Sequence, residues 1–286
     1  MTSASRTATG TGVPQTPARR PRRPGRIREA LTGERLLYGA AGVIGFLVLW
    51  EYASRNELVN TRWFPPPSAI LQSGIEEVQT ARFWDAVAIS SYEFAWGFAL
   101  AVIIGIPLGL ATGWFQRLNY ALDPWINFFN ALPRVALLPI LVIIFGVLGP
   151  ESKIAVVFLG AFVSILIVTV MGVRTVDRKY LDVANSFNAS QRRIFTSVVA
   201  LATVPFIITG LRIGLARALI GVVTGELYAW SRQGGLGSEI RVSSLALDID
   251  RMLFFVFIFT IAGIVGVQII KAIERRFQKW RPQQEL

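Results

Sequence analysis

The residues of this chain that could do chemistry are charged side chains inside long apolar runs. Arg212 and Arg217 lie five positions apart in one such run, Glu226 follows near its end, and Arg134 comes directly after Pro133 in another. Cysteine and histidine are absent from the sequence, which removes thiol chemistry, histidine proton relays and histidine metal sites. Charged groups in membrane segments are costly and often line a solute pathway. The chemistry to expect is electrostatic contact, not catalysis.

Two interpretations of these charges stay open. In the first, Arg212 or Arg217 presents positive charge to an anionic solute, and Arg134 and Glu226 lie along the same pathway. In the second, the charges are structural. Arg212 then extends to the nearby membrane surface, Arg217 pairs with a carboxylate such as Glu93, and Glu226 lies at the outer interface.

The composition places the whole chain in a membrane. Hydrophobic residues make up 53% of the 286 residues and charged residues only 16%, and the mean hydropathy is +0.50. Soluble domains carry about 25% charged residues. The formal net charge of +11 could suggest a nucleic-acid partner, but the basic residues concentrate at the ends of the apolar runs. Because cytoplasmic membrane loops show that distribution, we expect a lipid bilayer and no nucleic acid as the partner.

Six apolar segments are long enough to cross a bilayer, which takes about 20 residues in a helix. The fifth lies within a run of 37 residues, 194–230, which is too long for one crossing at about 1.5 Å per residue. It has no room for a hairpin loop, so we expect a helical lead-in along the surface followed by one crossing. The predicted spans are 36–54, 86–112, 124–149 (interrupted at Pro133), 154–173, 205–229 and 252–270. The predicted fold class is therefore all-α.

The basic residues also predict the orientation. With both termini in the cytoplasm, the cytoplasmic segments hold 19 Lys and Arg residues and the outer segments hold 7, which is the bias of the positive-inside rule. Residues 1–35 are rich in Ser, Thr, Pro, Gly and Arg, so we expect a disordered cytoplasmic tail. Residues 36–271 form the predicted transmembrane domain, and 272–286 a second basic cytoplasmic tail.

A polar loop between the fourth and fifth spans, about 174–195, has the pattern of a docking element. Helical spacing puts Val183, Ala184 and Phe187 on one face, with Asp182 facing away. Asn188 can adopt a left-handed backbone that ends this helix. Ser190, after Ala189, can cap the next helix. We expect two short helices at an elbow on the cytoplasmic surface, where small residues let a partner protein approach closely.

This loop resembles the EAA loop of ATP-binding-cassette (ABC) importer permeases. The family pattern falls on Asp182, Val183, Ala184 and Asn188, and then on Val198, Ala200 and Leu201. Asp stands for the usual Glu, Asn for Gly and Leu for Pro. Further segments resemble the sulfonate, nitrate and taurine branch of these permeases, in the same order along 36–275: WFPPPSAI (63–70), SYEFAWGFALAVIIGIPLGLATG (91–113), ALPRVALLPILVIIFGVLGPESKI (131–154), GVRTVD (172–177), GLRIGLARALIGVVTGEL (210–227) and GGLGSEI (234–240).

The resemblance implies a type I importer permease in a bacterial cell membrane. Such a permease forms a homodimer with the pathway at the subunit interface, and a separate binding protein delivers the solute from outside. Two ATPase subunits would receive the loop from Asp182 to Ser190 as the coupling helix. The chain has no GxxxxGK[ST] phosphate loop, so ATP-Mg is expected on the partner and no cofactor or metal on this chain.

The transported solute is the open part of this prediction. The resemblance favours a sulfonate, taurine or nitrate-like anion. A pyrimidine or riboflavin type of vitamin precursor is the alternative within the same importer class. An ATP-independent secondary transporter is a weaker alternative, because such proteins usually show an internal repeat, and none is evident here.

Overall fold

A computed structural model describes residues 25–146, 149–228 and 234–277, and every regular element in these ranges is helical. The described residues fall into two compact units, divided between Tyr52 and Ala53. The first unit holds most of α1 (Gly25–Arg55), which begins ten residues before the predicted end of the tail at residue 35. The predicted disorder of 1–24 and the tail after 277 lie outside the described residues.

In the described part of the second unit there are ten further α-helices, which range from one turn to more than nine turns. They are α2 (Pro67–Val78), α3 (Ala81–Trp114), α4 (Gln116–Ala131), α5 (Leu138–Phe145), α6 (Glu151–Arg174), α7 (Arg178–Ser186), α8 (Gln191–Ile194), α9 (Ala200–Tyr228), α10 (Leu236–Leu245) and α11 (Ile249–Phe277). Within the described ranges, five helical stretches are long and apolar enough to cross a membrane: Leu37–Arg55, Ala81–Trp114, Glu151–Arg174, Gln191–Tyr228 and Ile249–Arg275.

A sixth span is formed by α4 and α5 if the two are taken together, and it is bent by 91°. The cause is Pro133, which has no backbone N–H and forces the preceding Leu132 into an extended conformation (φ −69°, ψ 125°). A 3₁₀ turn, Arg134–Leu137, then leads into α5. The interruption predicted at Pro133 is thus confirmed, although the helix before it begins at Gln116 instead of residue 124.

The core of the second unit is α6 packed between α3 and α9. Val157, Ala161 and Ile165 of α6 are fully buried there. Glycines make the close approach possible: a Cβ at Gly109 of α3 would lie 2.8 Å from Thr169 Cβ, and one at Gly214 of α9 would lie 2.8 Å from Ile165 Cγ1. Small residues at helix contacts are the usual means of packing helices in membranes.

The long run before residue 230 forms a single helical stretch, as the sequence predicts. After α8, a π-helical turn (Phe195–Val199) leads directly into α9. Pro205 lies inside this stretch without ending it. The stretch Gln191–Tyr228 is 38 residues long, so its first part extends beyond a typical membrane thickness.

Candidate functional site

The loop between α6 and α9 folds into the predicted elbow. Asp177 caps α7 by accepting a hydrogen bond from the Lys179 amide. Asn188 has a left-handed backbone (φ 53°), and Ser190 accepts a hydrogen bond from the Arg193 amide at 3.4 Å to cap α8. The predicted left-handed turn and cap are both confirmed.

The two faces of α7 differ from the predicted arrangement. Leu181 and Ala184 are half-buried against a cluster at the ends of α3 and α6. Tyr180, Val183 and Phe187 follow an i, i+3, i+7 spacing on the outward side and are exposed, Phe187 by 83%. Val183 and Phe187 therefore do not share a face with Ala184, because the helix turns Ala184 toward the protein core.

The remaining predicted loop residues divide in the same way. Ala189 is half-buried and packs with Ala184 on the same cluster. Asp182, Asn188 and Ser190 are exposed. We call the outward stripe of Tyr180, Val183 and Phe187 the loop face.

A second group of polar residues is buried near the other end of the bundle. Lys153 Nζ lies 2.8 Å from Glu93 Oε1, and each side chain is only 1% exposed. The sequence interpretation that pairs Glu93 with Arg217 is wrong. Lys153, which the prediction places in an outer segment, lies in α6 with its charge compensated by a carboxylate of α3.

Glu226 belongs to the same buried group. Its side chain is fully buried within the protein, and its predicted position at the outer interface of the membrane stays a prediction. Ser90 donates a hydrogen bond to its Oε1 at 2.6 Å, and the Gly237 amide donates to its Oε2. Ser90 in turn accepts the Leu236 amide at 2.8 Å. Glu226 thereby holds the first turn of α10 against α3 and α9.

Helix α10 is the element that the sequence prediction missed. Its first residues, Leu236 to Ile240, are all buried. Glu239, 4% exposed, forms ion pairs with Arg82 at 2.8 Å and Arg251 at 3.1 Å. Its GGLG start and mixed polar composition are typical of a loop, and its burial depends on partners far away in the chain.

A third region is a cleft of about 500 Å³ beside the break between α4 and α5. We call it the Arg217 cleft. Asn130 and Pro133 line it from the broken span, Gly160 from α6, and Arg217 and Thr224 from α9. Of the predicted pathway residues whose side chains the structure describes (Arg212, Arg217 and Glu226), only Arg217 lines this cleft.

The other two predicted arginines are Arg212, which lies away from the cleft, and Arg134. Arg212 Nη2 lies 2.6 Å from Glu274 Oε2 of α11, so its charge is paired within the protein. The side chain of Arg134 lies outside the described residues, although its neighbours Pro133 and Val135 line the Arg217 cleft. Among the described residues, no cluster of three or more acidic side chains could hold a metal ion.

Three comparisons identify the kind of protein that carries these features. The family model described as "Binding-protein-dependent transport system inner membrane component" matches residues 81–279. A probable ABC transporter permease of Brucella abortus is 32% identical over 252 residues, covering 87% of this chain and 96% of the relative. The taurine transport system permease of Escherichia coli K12 is 30% identical, covering 82% and 86%.

A solved structure shares the fold. The chain aligns with an inward-facing structure of the MetNI methionine ABC transporter at a TM-score of 0.52 and 17% sequence identity, covering 66% of this chain and 93% of that one. The chain belongs to the family of binding-protein-dependent transport system inner membrane components, and it is a permease subunit of an ABC importer.

Proposed function

We propose that this permease works as a homodimer with two copies of a cytoplasmic ATPase, and that it imports a small anion delivered by an extracytoplasmic binding protein. Family membership implies the ATPase and the binding protein and favours an ATP-driven importer over a secondary transporter. ATP-Mg would be bound and hydrolysed on the ATPase, and this chain would supply the pathway.

The proposed orientation places the loop between α6 and α9, together with both termini, in the cytoplasm. The loop packs at the ends of α3 and α6, and this end of the bundle carries Arg117, Arg174, Arg178, Lys179, Arg192 and Arg193. Cytoplasmic loops are enriched in such residues. At the opposite end, Glu77 of α2 and Glu239 of α10 both pair with Arg251 of α11, and Glu239 also pairs with Arg82 of α3.

The loop face is the observation that supports ATPase docking. Tyr180, Val183 and Phe187 are exposed, while Leu181 and Ala184 anchor the same helix to the bundle. Aromatic residues such as Tyr and Phe are enriched at the core of protein interfaces. Since α8 and the π-helical turn connect the loop directly to α9, movement of a docked ATPase would reach α9 without passing through a flexible linker.

Docking is tested by replacing Phe187 with alanine. The permease is purified in mild detergent from its own membranes, and the co-purifying ATPase is quantified per permease. We expect Phe187→Ala to weaken the association by about 2 kcal/mol, roughly 30-fold, as for an aromatic hot spot. The matched control is Phe64→Ala, since Phe64 is also exposed but lies on the connection between α1 and α2.

An unchanged amount of ATPase with Phe187→Ala would contradict the docking proposal. Ala184→Glu would be a poorer test. It places a carboxylate against the cluster around Val173 and Ile194, so it would disturb the elbow itself whether or not a partner docks.

The proposed solute is a small anion such as a sulfonate, taurine or nitrate-like molecule. One relative is named for taurine transport, another for aliphatic sulfonates and another for bicarbonate. The relative from Halalkalibacterium halodurans is named for formylaminopyrimidine transport, which supports a vitamin precursor as the second candidate. The anion is favoured because the Arg217 cleft presents a cation, and none of the described residues that line it is acidic.

A further inference from the structure

Three basic residues of α6 and α9, namely Lys153, Arg212 and Arg217, have different electrostatic surroundings. Lys153 is paired with Glu93 and Arg212 with Glu274. Arg217 forms no ion pair or hydrogen bond with any side chain in the described part of the chain, and it is half-buried. A guanidinium in a membrane segment normally acquires a counter-charge, so the missing partner points to a ligand.

We propose that the Arg217 cleft is an anion subsite inside the permease, where Arg217 selects small oxyanions such as sulfonates, nitrate or bicarbonate. This inference rests on the proposed import of an anion. It adds that the permease itself contributes to selectivity, in addition to the binding protein.

The chemistry of the lining fits this class of ligand. A guanidinium presents its N–H groups in a planar fork that matches two oxygens of an oxyanion. Asn130 has an amide that can donate a further hydrogen bond, and no partner for it occurs among the described residues. Val156 and Ile220 supply apolar surface that would accommodate the short carbon chain of an organic sulfonate.

The backbone around Arg217 is held firmly, which is what a selective site requires. A Cβ at Gly160 would lie 3.0 Å from the carbonyl oxygen of Arg217, and one at Gly221 would lie 3.0 Å from Val157 Cα. These glycines allow α6 and α9 to touch through their backbones at Arg217 and one turn after it. The guanidinium therefore projects from a rigid support into the cleft.

The position of the cleft supports a contact with the solute during transport. It lies beside the bend between α4 and α5, where the helix is broken at Pro133. Broken helices at mid-membrane positions form solute sites in several transporters. Arg217 also lies on α9, the helix that continues from the loop through the π-helical turn. Movement of the loop would thus act on the helix that carries the anion contact.

The test uses the permease–ATPase complex in nanodiscs of phosphatidylcholine only, so that no anionic lipid headgroup competes for the cleft. Methanesulfonate and nitrate serve as probes, and a neutral aminopyrimidine serves as the comparison. The melting temperature of the complex is followed against probe concentration at constant ionic strength. The same complexes are then placed in proteoliposomes with the binding protein, and ATP-dependent uptake of each probe is measured.

We compare Arg217→Gln with the double variant Arg212→Gln/Glu274→Gln, which removes an arginine from the same helix together with its partner. Loss of a charge-assisted contact should weaken binding about tenfold or more. We expect the half-saturating concentration of methanesulfonate to rise, and kcat/KM for its uptake to fall, by that factor in Arg217→Gln. The double variant should stay within about twofold of the wild type, because its residues do not line the cleft.

The other outcomes refute the subsite alone or the subsite together with the proposed substrate class. If the wild type takes up the anions and Arg217→Gln does so equally well, the subsite is refuted and the proposed function stands. If the wild type accumulates the aminopyrimidine and neither anion, the proposed substrate class fails and the subsite with it. Should Arg217→Gln not assemble, Arg217→Lys replaces it. Lysine keeps the charge and loses the fork, so wild-type anion affinity in that variant would also refute the proposal.

Discussion

The buried group around Glu226 and the Arg217 cleft both place charge inside the helix bundle, but they satisfy it differently. Glu93 and Lys153 form an ion pair of 2.8 Å, and Glu226 accepts hydrogen bonds from Ser90 and from the Gly237 amide. Arg217 faces a cleft of about 500 Å³ in which none of the described lining residues is acidic. Charge in a membrane segment is therefore not by itself evidence of a pathway. The useful evidence is a charge that the protein leaves uncompensated.

The strongest test of this comparison is Lys153→Met. The substitution leaves the carboxylate of Glu93 buried without its cation, which typically costs about 3–5 kcal/mol. We expect a large fall in the free energy of unfolding, measured by denaturant titration of the purified permease, and little folded protein at physiological temperature.

The control for that experiment is the double variant Lys153→Met/Glu93→Gln. It removes both charges, and replacing both members of a buried pair is often close to neutral. Recovery of most of the lost stability would assign the cost to the unpaired carboxylate. If Lys153→Met alone were as stable as the wild type, Lys153 would not have the structural role described for it.

A smaller effect is expected from Glu226→Ala. This change leaves the Ser90 hydroxyl and the Gly237 amide without their acceptor, at a cost of about 1–3 kcal/mol for buried polar groups. The loss should concentrate in the first turn of α10. Hydrogen–deuterium exchange of the residues after Gly235 should accelerate, while exchange in α6 should not change.

Glu226→Gln is the matched control, because its amide oxygen can still accept one of the two hydrogen bonds. It should fall between the wild type and Glu226→Ala. Equal protection of α10 in all three proteins would show that Glu226 does not hold this helix, and would reopen its interpretation as a pathway residue.

The sequence predicts features set by local backbone chemistry better than features set by contacts between distant residues. The broken span at Pro133 and the turn at Asn188 depend on local backbone chemistry, and both are correct. The burial of Lys153 depends on Glu93, 60 residues away. Its neighbours Pro150, Glu151 and Ser152 give it the local pattern of a polar loop. No local pattern contains the information that a distant carboxylate will compensate its charge.

The loop face is a second feature that local sequence patterns do not determine. Helical spacing groups residues that share a side of α7, but it does not say which side packs against the bundle. That choice depends on the cluster formed by Val173, Ile194 and Val199 from other elements. Tyr180, exposed by 64% on the loop face, is absent from the predicted site because its position relative to this cluster is a tertiary property.

Of these substitutions, Arg217→Gln should change the free energy of unfolding least. Arg217→Gln removes a charge that has no partner among the described residues, so it leaves no carboxylate uncompensated. Substitutions that break no such contact usually change the free energy of unfolding by no more than about 0.5 kcal/mol. We therefore expect the unliganded Arg217→Gln permease to match the wild type in denaturant titration, in contrast to Lys153→Met. A destabilisation comparable to that of Lys153→Met would show that Arg217 is a structural cation, whereas equal stability with weakened anion binding would separate a ligand contact from a structural one.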